Sequence, residues 1–298
     1  MTQPAKPDWL KVRPPGGERY NFLKTQMREL GLATVCEEAR CPNVAECWGG
    51  GTATVMLMGD TCTRGCRFCS VKTNRNGQPL DPHEPTKVAG MLAQLDLEYI
   101  VLTSVDRDDL DDQGSGHFAE TIREIKRQVP KLLVEVLIPD FRGNQDLLGT
   151  LTASAPDVIA HNIETVRRLT PSVRDPRATY DQSMAVLAGI KVHDPAMVTK
   201  SSIMVGLGET VDEVKATLVD LREAGCDIVT FGQYLQPTPK HLAVQEFVHP
   251  DQFAAYQRMA EALGFRYVAS GPLVRSSYRA GELFIKGMIE ERRHPTPA

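Results

Sequence analysis

The chain has 298 residues, of which 42% are hydrophobic and 24% are charged, as in an ordinary globular protein with a full hydrophobic core. The net charge of −4 and the pI of about 6.0 leave no basic excess, which argues against nucleic acid as the main partner. No stretch has the length of a signal-peptide core or approaches about 18 uninterrupted apolar residues, so we expect a cytosolic protein with no membrane partner.

The N-terminal part of the chain is poor in predicted secondary structure and contains three cysteines. Its first 35 residues are rich in proline, glycine and charge around one helical stretch, YNFLKTQMREL, and this favours an extension laid over the main body. Cys36, Cys41 and Cys47 follow in CEEARCPNVAEC at spacings of five and six. In a reducing compartment disulfides are not expected, and seven cysteines are an odd count, so the clustering indicates metal binding or chemistry.

A second group of three cysteines follows directly after the first predicted strand. The strand is TATVMLMG, residues 52–59, and Cys62, Cys66 and Cys69 come next in CTRGCRFC at spacings of four and three. Sites in parallel α/β proteins are built at the carboxyl ends of strands, so these cysteines stand where chemistry is expected. Metal sites commonly take four ligands, so each triplet lacks one.

Three other interpretations fit the second triplet less well. A structural zinc site usually pairs two short knuckles, and here only Cys66 and Cys69 form one, with no histidine at ligand spacing after it. Inert buried cysteines are not expected three times within eight residues. A ferredoxin-like electron carrier needs four ligands per cluster and does not need a scaffold of this size.

The remainder of the chain alternates short apolar runs with amphipathic helices. In the clearest helix, over residues 211–224, Thr210 and Glu213 fit a capping box and Gly225 fits the C-terminal stop. Such strand–helix units predict a parallel α/β sheet with right-handed crossovers. Six strong strands are too few for a closed eight-stranded barrel, so we predict a partial barrel of six β/α units, with a flat doubly wound sheet as the alternative. The other predicted strands are 99–105, 132–139, 157–164, 199–208, 227–235 and a weaker seventh at 266–273.

The second triplet also carries a resemblance. CTRGCRFC resembles the Cys-x3-Cys-x2-Cys signature of the radical S-adenosylmethionine superfamily, with an aromatic residue, Phe68, before the last cysteine. The resemblance implies a partial (β/α)6 barrel in which Cys62, Cys66 and Cys69 bind three irons of a [4Fe–4S] cluster. The fourth iron is left for S-adenosylmethionine, which accounts for the missing ligand. Cleavage of that cofactor is expected to release a 5′-deoxyadenosyl radical.

The first cysteine triplet and the C-terminal region indicate which family within this superfamily the chain resembles. CEEARCPNVAEC resembles the Cys-x4-Cys-x5-Cys motif of the lipoyl synthase family, and GPLVRSSYRAG resembles that family's terminal Arg-Ser-Ser-Tyr motif. The resemblance covers about residues 15 to 285. It implies a sulfurtransferase that uses two radicals to insert sulfur at C6 and C8 of a protein-bound octanoyl-lysine.

The same resemblance implies a second, auxiliary [4Fe–4S] cluster that serves as the sulfur source. Cys36, Cys41 and Cys47 would hold it, and Ser277 would be its fourth ligand. A serine alkoxide is a harder and less usual ligand than thiolate, so such a site can give up that iron. Without the resemblance, Ser276 and Ser277 would be interpreted as a turn or a helix cap.

Polar residues at the carboxyl ends of the predicted strands would form a mouth that binds ribose, carboxylate or substrate amide. Lys200 and Arg275 are candidate binders of carboxylate groups, and Phe68 is expected near the adenine by analogy with the superfamily. Solvation of a loop is the alternative for any one of these residues. The predicted mouth consists of Ser104, Asp106, Arg107, Asp108, His161, Asn162, Glu164, Gly206, Gly208, Glu209, Gln233 and Tyr234.

Three parts of the chain are therefore expected. Residues 1–51 form an extension with the auxiliary cysteines, residues 52–265 form the partial barrel, and residues 266–298 form a C-terminal segment that closes the barrel mouth. The implied partners of a monomeric chain are an octanoylated lipoyl carrier domain, a reducing partner such as flavodoxin or ferredoxin, and a cluster-repair protein. The alternatives are another sulfur-inserting or methylthiolating enzyme of the superfamily, or an iron–sulfur storage or electron-transfer protein.

Overall fold

A computed structural model of the chain describes residues 6–11, 52–95 and 97–277, together with the single positions Asn21, Thr25, Glu29, Gly287 and Ile289. The auxiliary triplet lies outside the described residues. So does most of the predicted N-terminal helix, of which three described positions are helical.

The described part of the chain contains the strands β1 (Thr52–Leu57), β2 (Thr61–Cys62), β3 (Lys72–Thr73), β4 (Tyr99–Ser104), β5 (Leu133–Leu137), β6 (Val158–Ala160), β7 (Val198–Val205), β8 (Ile228–Gln233) and β9 (Tyr267–Ser270). Seven of these strands are parallel and form one sheet in the order β1-β4-β5-β6-β7-β8-β9. The short strands β2 and β3 pair in parallel; β2 ends at Cys62, and the loop between them carries Cys66 and Cys69.

The strand order confirms the partial barrel over the doubly wound sheet. A doubly wound sheet reverses its strand order at a switch point, whereas here each strand lies beside the next one along the chain. Among the described residues no pairing joins β1 to β9, so hydrogen bonds do not close the sheet into a full barrel. The weaker seventh strand is present as β9, so the sheet extends past the expected boundary at residue 265.

Helices follow the strands as the sequence predicts. The capping box of Thr210 and Glu213 is formed, and Gly225 adopts a φ of +79° beyond the helix end. None of the helices in the described part of the chain is long and apolar enough to cross a membrane. The helices are α1 (Glu84–Leu92), α2 (Ser115–Gln128), α3 (Gln145–Thr152), α4 (Thr170–Val173), α5 (Tyr180–His193), α6 (Val211–Glu223) and α7 (Pro250–Ala262).

Alternation along the strands separates two buried layers. Ile100 and Leu102 of β4 pack in the large cluster that contains the helices' apolar residues. Tyr99 and Val101 point to the opposite, inner face, in a smaller cluster that includes Ile289 near the C-terminus. Because side chains alternate, the same inner face continues towards the carboxyl ends of the strands, where the candidate site lies.

Candidate functional site

A cavity of about 570 Å³ opens at the carboxyl ends of the parallel strands. Its floor is formed by side chains of the inner sheet face, with Met56, Thr103 and Leu137 paired in register across β1, β4 and β5. All three cysteines of the second triplet line it, and so do Ser276 and Ser277. The structure therefore brings the cysteine loop and the C-terminal segment to one space.

Backbone N–H groups donate to the sulfurs of the triplet, and that of Val71 approaches Cys69. The N–H groups of Arg64 and Asp106 donate to Cys62 Sγ at 3.4 and 3.3 Å, and the N–H of Asp175 donates to Cys66 Sγ at 3.3 Å. The carbonyl oxygen of Cys69 accepts from Nε2 of His241 at 2.9 Å. Hydrogen bonds to sulfur stabilise thiolate charge and are a feature of iron–sulfur sites.

The thiols are buried enough to hold their protons when no metal is bound. Burial raises the pKa of Cys62 and of Cys66 to about 12, and it also raises the pKa of Cys69. Thiolate ligands are deprotonated when they bind a metal, so loading this site would release protons.

The donor set fits an iron–sulfur cluster. Cluster thiolates each bind a different iron and need not converge on one point. Three thiols border one cavity, and backbone N–H groups are directed at them, so these residues fit such a group.

Arg64 lies between Cys62 and Cys66 in the sequence and anchors the cysteine loop through its side chain. Its guanidinium binds Asp108 through Nε and Nη2 at 2.9 Å each, and it binds Asp140 through Nη1 and Nη2 at 2.5 and 2.8 Å. Only 2% of the Arg64 side chain is exposed. Burial acts to raise the pKa of Asp108, but the hydrogen bonds from Arg64 hold it at about 2. The cysteine loop is thus anchored to the ends of β4 and β5 by charge-assisted hydrogen bonds.

Most of the predicted mouth residues do line the cavity. Asp106 lies beside the first cysteine, whose thiol donates to Asp106 Oδ2 at 3.6 Å, and burial raises the pKa of this aspartate to about 6. The predicted cofactor-binding residues that line the cavity are Phe68, Ser104, Asp106, His161, Asn162, Glu164 and Arg275.

Several polar atoms at the cavity wall have no partner within the described protein. Ser104 Oγ, Asn162 Oδ1 and Arg174 Nε are buried without a hydrogen bond. The amide nitrogen of Asn162 donates to Glu164 Oε1 at 3.1 Å, and burial raises the pKa of Glu164. Unsatisfied buried polar groups are costly, so atoms of this kind indicate where a polar ligand binds.

Two of the predicted contact residues do not line the cavity. Lys200 lies on the inner face below the cavity, where its Nζ binds Glu135 Oε1 and Oε2 at 2.9 and 3.0 Å, and Tyr99 donates to the same carboxylate at 2.7 Å. Arg107 does not line the cavity and binds Asp109 at 2.8 and 2.9 Å, while its Nη1 is buried without a hydrogen bond among the described residues. Lys200 is thus engaged by a buried carboxylate, and a cofactor contact by Arg107 stays a prediction.

His161 lines the cavity but has no free ring nitrogen. Nδ1 bonds the carbonyl oxygen of Ile138 at 3.0 Å, and Nε2 bonds Ser183 Oγ at 2.9 Å. Burial lowers the pKa of His161 to about 4, so the ring is neutral near pH 7. The histidine therefore braces the wall between β6 and α5 and offers a ligand only its ring surface.

Asp140 and Arg174 are cavity residues that the sequence analysis did not identify. Asp140 follows β5, and the same rule that selected polar residues after other strands would have found it. Arg174 lies in the long connection after β6 and had no sequence signal. It is buried and donates to Ser183 Oγ at 2.7 Å.

The chain is similar to proteins of one family along nearly its whole length. The family model of the radical SAM superfamily matches residues 56–232, and that of the N-terminal domain of lipoyl synthase matches residues 2–41. Lipoyl synthase of Anaeromyxobacter sp. (strain Fw109-5) is 62% identical over 287 residues, which are 96% of this chain and 97% of that protein. The mitochondrial lipoyl synthase of Branchiostoma floridae is 59% identical over 96% of this chain and 78% of its own length.

Solved structures agree on the fold. Methylornithine synthase (PylB) superposes with a TM-score of 0.55 at 14% identity, over 92% of this chain and 91% of that one. HydG, a maturase of the [FeFe]-hydrogenase, gives a TM-score of 0.53 at 12% identity, over 73% of this chain and 56% of that one. At such identities the likeness concerns the fold alone. The identity to the two sequence relatives, by contrast, is high over 96% of this chain, and the chain belongs to the lipoyl synthase family of the radical S-adenosylmethionine superfamily.

Proposed function

We propose that this chain inserts two sulfur atoms, at C6 and C8, into a protein-bound N6-octanoyl-lysine and so produces lipoyl-lysine. The observation that carries the proposal is one cavity lined both by the second cysteine triplet and by Ser277. A reaction that needs a radical source and a sulfur source requires both to face one space, because the same carbon has to reach each of them.

Two sets of ligands would hold the two [4Fe–4S] clusters. One set is the buried triplet of the cavity, and the other combines the N-terminal triplet with the C-terminal serine. When bound, the first cluster would supply the electron that cleaves S-adenosylmethionine, and the second would supply the sulfur. The ligands are Cys62, Cys66 and Cys69 for the first, and Cys36, Cys41, Cys47 and Ser277 for the second.

The polar wall of the cavity would bind S-adenosylmethionine. Asn162 Oδ1 and Ser104 Oγ are buried acceptors with no protein partner among the described residues, and a ribose hydroxyl or an amino group would satisfy them. Glu164 beside Asn162 adds a carboxylate, and Arg174 Nε adds an unpartnered donor. Arg275 on the C-terminal segment remains a candidate for a carboxylate group.

The apolar floor would receive the acyl chain. Met56, Leu137 and Met204 line the cavity on the inner sheet face. Burial of the octanoyl chain against them would hold the reacting carbons in place and exclude water, as a reaction through free radicals requires.

The substrate would be an octanoylated lipoyl carrier domain or protein. A reducing protein such as flavodoxin or ferredoxin would supply electrons, and a repair protein would rebuild the auxiliary cluster after each turnover. We propose a cytosolic monomer that interacts with neither nucleic acid nor membranes, although eukaryotic relatives are named as mitochondrial or chloroplastic enzymes.

Two variants separate the proposed roles of the triplets. Cys41→Ala should still cleave S-adenosylmethionine but form no thiolated product, because only the sulfur source is lost. Cys66→Ala should abolish cleavage, because the cluster that supplies the electron loses a ligand. The assay is anaerobic incubation with S-adenosylmethionine, a reductant and an octanoyl-lysine peptide, with 5′-deoxyadenosine and thiolated peptide measured by mass spectrometry.

Cys226→Ala is the matched control, since this thiol is fully buried in the core and far along the chain from both triplets. It should retain both products. Thiolation by Cys41→Ala would contradict the role of the N-terminal triplet. An iron–sulfur storage or electron-transfer protein would form neither product from the unaltered chain.

A further inference from the structure

Beyond β9, the C-terminal segment contacts the end of β8 through two further backbone hydrogen bonds. The N–H of Gly271 donates to the carbonyl oxygen of Phe231 at 3.2 Å, and the N–H of Gln233 donates to that of Pro272 at 3.3 Å. A third bond, from the N–H of Val274 to the carbonyl of Gly271 at 3.0 Å, closes a turn. This turn, residues 271–274, lies directly before Ser276 and Ser277.

Gly232 stands between the two hydrogen-bonded positions of β8 and faces the turn. A Cβ placed there would lie 2.1 Å from the carbonyl oxygen of Val274 and 3.1 Å from its carbonyl carbon. The obstacle is backbone, which cannot rotate away as the end of a side chain would. The φ of Gly232 lies outside the left-handed region, so the glycine is needed here for space and not for conformation.

A side chain at this position would therefore displace the turn. An ordinary contact between carbon and a carbonyl oxygen is about 3.3 Å or longer. Relief of the overlap would thus need a shift of about 1 Å in the Val274 carbonyl, or an equal movement of β8. Arg275, Ser276 and Ser277 follow immediately and line the cavity, so they would move with it.

We propose that Gly232 is a positioning residue. Because Gly232 has no side chain, the Val274 carbonyl can pack directly against its Cα, and this contact sets the position of Ser277 over the cavity. The inference rests on the proposed function, in which Ser277 binds iron. An error of about 1 Å in a reacting or binding group can cost on the order of a hundredfold in rate.

Gly232→Ala in the full-length, reconstituted chain tests the proposal. Formation of thiolated peptide should fall at least about tenfold, while formation of 5′-deoxyadenosine stays within about twofold, because only the C-terminal segment is displaced. Gly90→Ala is the matched control, since a Cβ on that helical glycine meets no atom within 4 Å. It should leave both products unchanged. Unchanged thiolation by Gly232→Ala, or an equal loss of both products, would overturn the proposal.

A double variant keeps the test informative if Gly232→Ala does not fold. Val274→Gly loosens the turn and lets its carbonyl move away, so Gly232→Ala together with Val274→Gly should regain the fold. In folded variants the two substitutions should be non-additive in thiolation, as expected for residues in contact. Strictly additive effects, or a double variant that stays unfolded, would show that Gly232 acts within the barrel wall and not through the turn.

Failure of this inference can be told apart from failure of the proposed function. The Cys41→Ala chain reports on the sulfur source without touching the turn. If it forms thiolated peptide, the proposed function is wrong whatever Gly232→Ala does. If it forms none and Gly232→Ala is as active as the unaltered chain, only the positioning role is wrong.

Discussion

Arg64 illustrates how a single residue can hold the cysteine loop in place although it is not itself a proposed ligand of the cluster. Its side chain is 2% exposed and binds Asp108 and the fully buried Asp140, and its Nη1 also lies 3.4 Å from Asp106 Oδ1. Arg142 and Arg177 approach Asp108 from the solvent side. The planar guanidinium matches two carboxylates at once, which a lysine ammonium would not do.

Replacement of Arg64 by methionine should destabilise the chain strongly. Asp108 keeps Arg142 and Arg177, but the fully buried Asp140 loses its cation, and a buried charge left without its partner costs about 3–5 kcal/mol. Urea unfolding of the metal-free chain followed by circular dichroism measures the loss. Arg168→Met is the control, because its pair with Glu213 is more than half exposed on the arginine side, and an ion pair of that kind contributes little to stability.

The pH dependence of stability gives an independent check on Arg64. The pKa of Asp108 is lowered from 3.8 to about 2 in the folded chain, so its contribution to stability is present above pH 3.8 and is lost as the pH falls towards 2. In Arg64→Met this loss should be smaller. An unfolding free energy with the same pH slope in variant and unaltered chain would contradict the pairing.

Three strands are joined inside the barrel by one buried charged group. Glu135 of β5 accepts from Lys200 of β7 and from Tyr99 of β4, and both charged side chains are at most 2% exposed. The cluster lies on the inner sheet face below the cavity. It links strands that are not neighbours, since β6 separates β5 from β7.

Lys200→Met should lower the unfolding free energy by about 3–5 kcal/mol, because the buried Glu135 would lose its cationic partner. Lys200→Met combined with Glu135→Gln should recover most of that loss, since no unpaired charge is left. Urea unfolding of both variants measures this. A single variant as stable as the unaltered chain, but with weakened binding of S-adenosylmethionine, would instead restore Lys200 to the cofactor site.

The ends of elements were predicted less well than their presence. The predicted strand over 157–164 is reduced to β6, Val158–Ala160, and the chain pairs with β7 once more only through an isolated bridge between Glu164 and Ile203. Asn162 and Glu164 line the cavity beyond the end of β6. Glu164 has a φ of +67°, a conformation that a regular strand does not contain. Apolar periodicity continues through such residues, so it does not reveal where pairing stops.

In the whole molecule, the sequential strand order brings segments that are far apart in the sequence to the mouth of one cavity. The loop after β1, the ends of β4 to β8 and the segment after β9 all border the same cavity, although they span residues 62 to 277. Parallel strands place all their carboxyl ends on one edge, so each loop adds to the same space.

Iron content tests the two-site arrangement of the whole chain. Two [4Fe–4S] clusters would give about eight irons per chain, and a chain with Cys36, Cys41 and Cys47 all changed to alanine should hold about four. Anaerobic reconstitution followed by iron and sulfide analysis measures both values. About four irons in the unaltered chain would contradict a second cluster.

The parallel α/β class, seven strands in outline, the capped helix at Thr210 and the place of the second cysteine triplet after β1 could all be predicted from the amino-acid sequence. Such features are local, since they depend on periodicity and on spacing along the chain. The folded chain was needed to show that Lys200 pairs with Glu135, because no spacing along the chain reveals that partner. The tertiary structure alone also brought Gly232 against Val274, since a contact between distant segments depends on how the strands pack and leaves no pattern in the chain.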